Sequence, residues 1–186
     1  MTVTKARHVR GIPWANLLSL SRLALAPVCA WAIVDASWLL ALVCLVVAVA
    51  TDFLDGPLAR RRGEVTRLGG VLDHASDATF VSVGLAALAV LGLVPWVLPF
   101  LVVLAFTQYT LDSRVLAGEF LRASLLGRYN GIAYFVVLGI PIVRNSMSIP
   151  FPSDTLLRVF AWVVAVSTVI SMADRLRAFF RSRNSS

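Results

Sequence analysis

Two neighbouring stretches, Asp52-Phe53-Leu54-Asp55-Gly56-Pro57-Leu58-Ala59-Arg60 and Gly69-Gly70-Val71-Leu72-Asp73-His74-Ala75-Ser76-Asp77, set four aspartates inside otherwise apolar sequence. Asp52 and Asp55 are three residues apart and Asp73 and Asp77 are four apart, so on helices each pair shares one face. The basic run Arg60–Arg67 reads as the loop joining two helices into an antiparallel hairpin. Asp52 precedes Arg62 by the same distance as Asp77 follows Arg67. Both pairs therefore reach a similar depth.

The surroundings of this hairpin say what solvent it occupies. Hydrophobic residues make up 59% of the 186-residue chain and charged ones 15%, with a mean hydropathy of +0.83. Soluble domains carry about 25% charged residues, and a chain this short buries too little of its surface to hide such an excess. The bilayer is the expected solvent. The net charge of +7 does not indicate nucleic acid. Its basic residues stand in short clusters between apolar blocks, without the interleaved aromatics of a stacking platform. Cys29 and Cys44 lie inside apolar blocks and read as small packing residues, because two cysteines build neither a disulfide framework nor a zinc shell.

Working outward from the hairpin, six apolar blocks run over Trp14–Val34, Trp38–Leu58, Leu68–Leu91, Pro95–Ala117, Asn130–Val143 and Leu156–Met172. Each is near the roughly 20 residues that span a hydrocarbon core, the fifth being short and interrupted by Pro141. Lys5, Arg7 and Arg10 precede the first block. Arg60, Arg61, Arg62 and Arg67 separate the second from the third, and Arg114, Arg122 and Arg128 the fourth from the fifth. Arg175, Arg177, Arg181 and Arg183 follow the sixth. The opposite loops hold only Arg144 and Arg158. Basic loops stay cytoplasmic. The expectation is an all-α integral membrane protein of six transmembrane helices with both termini cytoplasmic. Its site would lie between helices 2 and 3 and the remaining bundle. One domain fills 1–186, with a cytoplasmic segment 1–13, a six-helix core 14–175 and a basic tail 176–186. Arg22 interrupts the first block, which argues for a retained helix and against a cleaved leader. Trp14, Trp31, Trp38 and Trp96 fall near block ends, where indole rings favour the interface.

Four aspartates in such a setting are costly. A charged aspartate at mid-bilayer costs about 2.5–3.5 kcal/mol on insertion scales, hence roughly 10–14 kcal/mol for four facing lipid. Mutual repulsion adds to this. The cluster must line a wet cavity, take up protons or bind cations. Carboxylate oxygens without a histidine or cysteine shell favour Mg²⁺ or Mn²⁺, and two such ions make a clamp for a pyrophosphate. Gly56 and Gly69 let a ligand or helix approach the backbone, Ala59 keeps the same wall low, and Arg60 is placed to grip a phosphate oxygen.

The combination Asp52, Asp55, Gly56, Ala59, Arg60, Gly69, Asp73 and Asp77 resembles, in every identity and gap, the signature of the CDP-alcohol phosphotransferase family. The six-span layout is similar too. The resemblance implies that Asp52, Asp55, Asp73 and Asp77 hold two divalent cations, with Asp77 also the general base. It implies that Asp52, Gly56, Ala59, Arg60 and Gly69 form the CDP site, and that the protein pairs as a homodimer. The implied reaction moves a phosphatidyl group from CDP-diacylglycerol, or a related CDP-lipid, to a small alcohol with release of CMP. It would take place at a prokaryotic inner or plasma membrane, with the site facing the cytoplasm and membrane lipid as surroundings.

The acceptor is less sharply written. Ser124-Leu125-Leu126-Gly127-Arg128 is similar to a segment of glycerophosphate-using members, which makes glycerol 3-phosphate the expected acceptor, held by Arg114, Arg122 and Arg128. These arginines equally serve to keep their loop inside. Phosphatidylglycerol, inositol phosphate and serine remain alternatives, as His74 and Ala78 replace the proline and lysine common in glycerophosphate-using relatives. His74 reads as a polar lining residue rather than a ligand. Arg22 is expected either to pair with an aspartate or to touch substrate phosphate. The run Arg175–Arg183 reads as an interfacial tail drawn to anionic lipid. The rival of another class is a small cation-conducting transporter or channel, against which the absence of repeated halves speaks.

Overall fold

The computed structural model describes residues 14–62, 67–111 and 125–183, and side-chain surroundings over 17–54, 69–110 and 126–177. Among the described residues the regular elements are all α-helices: α1 Trp14–Val34, α2 Trp38–Arg62, α3 Arg67–Val90, α4 Val97–Leu111, α5 Leu125–Ser146 and α6 Asp154–Arg183. They follow the six apolar blocks, with instructive differences at the ends. The arginines expected in the loop after α2 are wound into helix as far as Arg62, and α3 begins at Arg67. Helix α5 outruns its block at both ends, because helix continues through Arg128, Tyr129 and Arg144, which hydropathy excludes. Pro141 and Pro27 both sit inside helices. In an apolar setting neighbouring helices compensate the lost hydrogen bond.

Three tight turns close the bundle at one end. After α1 the Ser37 amide bonds the Ala32 carbonyl at 2.8 Å across Ala36, whose φ is 57°. After α3 the Leu93 amide reaches Leu88 O at 3.0 Å across Gly92, and after α5 the Ile149 amide reaches Arg144 O at 2.9 Å across Ser148. In each a left-handed residue lets the chain fold back and satisfy carbonyls that the helix leaves unpaired. Only one of the three uses glycine. Arg144 adds a latch between α5 and α6, bonding Pro152 O at 2.8 Å and Asp154 at 2.6 Å.

The helices form a closed circuit in which α1 packs on α2 and α3, α2 on α5, α5 on α6, α6 on α4 and α4 on α3, with α3 and α5 also touching across it. Small residues set the α1–α2 distance. Ala26, Cys29 and Ala32 face Ala41, Cys44 and Ala48, all buried and spaced three or four apart, so the backbones draw close. Both cysteines are free packing residues, as expected. Across the bundle Gly84 lies under Leu138, where an added Cβ would stand 2.8 Å from a methyl group.

The outer surface is apolar, with Trp31, Leu39, Phe100 and Trp162 among its exposed residues. Among the described residues three helices are long and apolar enough to cross a membrane: α1, α5 and α6. Helices α2 and α4 contribute the shorter apolar stretches Trp38–Leu54 and Val97–Thr110. In α3 the buried polar residues Ser76 and Ser82 interrupt the apolar run.

Candidate active site

Three of the four aspartates have described surroundings, and these three meet at one point. Asp73 and Asp77 project one turn apart from α3, and Asp52 comes from α2. All three meet the guanidinium of Arg22, which reaches them from α1. Nη1 of Arg22 lies 3.0 Å from Asp52 Oδ1 and also bonds Asp77 Oδ1, while Nη2 lies 2.5 Å from Asp73 Oδ1. Arg22 is wholly buried, whereas the carboxylates keep side-chain exposures of 40, 27 and 20% for Asp52, Asp73 and Asp77. The arginine therefore backs the site while the carboxylates front it. Of the two roles open to Arg22 in the sequence, pairing with aspartate is the one seen. Its signal was that it is the sole charge in the first apolar block.

Asp55 follows Asp52 by three residues on α2, with Gly56, Ala59 and Arg60 further along the same helix, but the side-chain surroundings of these four lie outside the described residues. Gly69 is on the first turns of α3. Arg114 and Arg122 fall in 112–124, also outside the described residues.

The carboxylates open into a cavity of about 600 Å³ bounded by α2 to α6. Asp52, Asp73 and Asp77 form one wall, and Arg128 and Arg175 belong to the others. Val81, Val102 and Phe135 supply apolar lining between them. Arg175 was expected in an interfacial tail. It instead stacks on the Tyr109 ring at 5.0 Å, and Tyr109 meets the His74 ring edge-on at 5.7 Å. The readable sign was a polar stripe on α6, since Thr168, Ser171 and Arg175 recur at helical spacing. Further in, Tyr134 donates to Thr168 at 2.8 Å and Thr168 donates in turn to Val164 O. Ser167 donates to Asn130 Oδ1 at 2.7 Å, and Gln108 donates to Met172 O at 3.0 Å. The other halves of those two amides, Asn130 Nδ2 and Gln108 Oε1, are buried against the cavity without a partner among the described residues. Such groups are costly unless a ligand or water meets them.

The donor set suits a small hard cation. Three carboxylates from two helices share one guanidinium. Ligand atoms of Asp73, His74 and Asp77 also lie within 4.8 Å of one another, and opposite ligands of magnesium stand about 4 Å apart. His74 thus reaches the cluster, although the sequence reading made it only a lining residue and the shell one without histidine.

The fold and site define a helical bundle with apolar outer faces and an acidic chamber that opens into a cavity of mixed lining. The chain belongs to the CDP-alcohol phosphatidyltransferase family, whose profile matches residues 13–173. It is 42% identical over 65 residues to the CDP-diacylglycerol–glycerol-3-phosphate 3-phosphatidyltransferase of Aquifex aeolicus, covering 35% of this chain and 36% of the relative. The enzyme of the same name from Bacillus subtilis is 31% identical over 133 residues, 68% of this chain and 66% of the relative. Human cardiolipin synthase (CMP-forming) is 33% identical over 94 residues, 49% of this chain and 31% of the relative. The chain spans about a third of the length of the Aquifex and human relatives it matches.

Proposed function

We propose that this chain is a membrane-embedded, divalent-cation-dependent phosphatidyltransferase. It moves the phosphatidyl group of CDP-diacylglycerol to glycerol 3-phosphate and releases CMP. The observation that carries this reading is the convergence of Asp52, Asp73 and Asp77 at the edge of a cavity whose other walls are partly basic and partly apolar. Family membership and the names of the matched relatives support the same chemistry.

In this reading Asp52, Asp55, Asp73 and Asp77 hold two divalent cations, and Asp52 with Gly56, Ala59, Arg60 and Gly69 receives the CDP moiety. When bound, the ions offset the charge of the pyrophosphate and of the departing phosphate oxygen. Asp77 accepts the proton of the acceptor hydroxyl. The freed oxygen attacks the phosphorus that carries the lipid, the bond from that phosphorus to the bridging oxygen breaks, and CMP leaves with the bond's electrons. Arg128 and Arg175 hold the acceptor phosphate, and the unpaired amide groups of Asn130 and Gln108 meet its hydroxyls. The apolar walls leave acyl chains in contact with lipid. The six helices act as a single domain, all six spanning the bilayer, with both termini and the chamber on the cytoplasmic side.

Purified protein supplied with labelled CDP-diacylglycerol should release CMP when glycerol 3-phosphate and Mg²⁺ or Mn²⁺ are added, and chelation should stop it. Asp77→Asn should lower turnover on the order of 10²–10⁴-fold. Phosphatidylglycerol, inositol phosphate and serine complete the acceptor panel. Failure to release CMP with any of them overturns the proposal.

A further inference from the structure

Arg22 stands apart from the hairpin that carries the aspartates, yet it bonds three of them. It is completely buried at 0% exposure. Its two terminal nitrogens reach Oδ1 of Asp52, Asp73 and Asp77. Ser19, one turn earlier on α1, stands between the partners. Arg22 Nη2 donates to Ser19 Oγ at 3.3 Å, and Ser19 Oγ lies 3.4 Å from Asp73 Oδ1. One guanidinium therefore ties α1 to both α2 and α3 at the floor of the chamber.

The oxygens it occupies belong to the residues that would bind the divalent ions. A guanidinium stays charged and offers donors in a fixed fork that matches carboxylates. It cancels part of the repulsion among buried like charges when no ion is present. Once an ion arrives, the same positive charge repels it and contests its oxygens. The geometry points to Arg22 as an internal counter-ion that keeps the aspartate chamber assembled before metal enters and that lowers the chamber's affinity for metal. This inference rests on the metal-dependent reading above. Arg22 is a positioning residue, since it acts on the carboxylates and through them on the ions.

The test uses the full-length protein in detergent, with Mn²⁺ binding followed by the loss of the free-ion EPR signal and with thermal midpoints measured in EDTA and in Mn²⁺. Arg22→Gln should bind Mn²⁺ more tightly, on the order of tenfold, because one unit charge leaves the ion's surroundings. Its midpoint should fall in EDTA and recover in Mn²⁺ far more than the wild type's. Arg22→Lys, which keeps the charge, should retain affinity close to the wild type. If Arg22→Gln does not fold in EDTA, the charge-balanced R22Q/D52N protein should, because the excess carboxylate has been removed. Weaker or unchanged Mn²⁺ binding by Arg22→Gln overturns the inference, as does a fold that neither Mn²⁺ nor R22Q/D52N restores. Wild-type protein that binds no Mn²⁺ overturns the metal-dependent reading and this inference together. Wild-type binding with an unchanged R22Q affinity overturns this inference alone.

Discussion

Asp52, Asp73 and Asp77 illustrate how a residue's meaning is settled by its neighbours. Each alone would be an expensive polar group in apolar surroundings, but together they form one acidic front. Arg175 shows the converse, for in sequence it belongs to a basic tail and in space it belongs to the cavity. Stacked on Tyr109, its guanidinium is pre-organised and retains donors for an anion. Arg128 approaches the same cavity from α5. Loss of a charge-assisted bond to an acceptor phosphate is worth about 1.5–3 kcal/mol. Arg128→Ala and Arg175→Ala should therefore each raise the KM for glycerol 3-phosphate on the order of 10–100-fold while leaving the KM for CDP-diacylglycerol near its original value. Acceptor and donor titrations of the two variants measure this. Unchanged acceptor kinetics would return both residues to a purely topological role.

Among the elements, α3 bears the greatest demands. It carries Asp73 and Asp77 in its first half, and packs against α1, α4 and α5. Its Gly84 has no room for a side chain because Leu138 of α5, itself wholly buried, fills the space. Gly84→Leu should force α3 and α5 apart and cost about 1–3 kcal/mol by overpacking. The expected readout is a lower thermal midpoint in detergent. Helix existence was legible because apolar blocks of sufficient length announce themselves. The ends of α5 and the helical Arg60–Arg62 were not, since hydropathy registers solvent and not backbone hydrogen bonding. Ala36 and Ser148 hide their turns in the same way, with no glycine to mark the left-handed residue.

For the molecule as a whole, the closed circuit of helices explains why a 600 Å³ cavity persists beside a tightly packed α1–α2 pair. Small residues draw one side of the bundle together, and the cavity lies on the side bounded by α2 to α6. The turns after α1, α3 and α5 lie at the end away from the carboxylates, which sit in the second half of α2 and the first half of α3. In the proposed six-span arrangement that turn-rich end would face outward. Met147 and Arg177 are both exposed and should lie on opposite sides of the membrane, while the native Cys29 and Cys44 are buried. In intact cells an impermeant maleimide should label Met147→Cys, and Arg177→Cys should react only after lysis. Labelling of both from one side would contradict an odd number of crossings between the α5–α6 turn and the opposite side.

Composition and spacing alone determined the apolar solvent, the helical class and the identity of the acidic residues. Those properties are local: side-chain hydropathy and a helix of 3.6 residues per turn suffice to express them. Tertiary packing decided that Arg22 locks onto three carboxylates, that His74 meets the Tyr109 ring edge-on, and that Arg175 faces a cavity beside Tyr109. Each of these joins helices far apart in the chain. Only the rotation and closeness of packed helices bring such groups into contact.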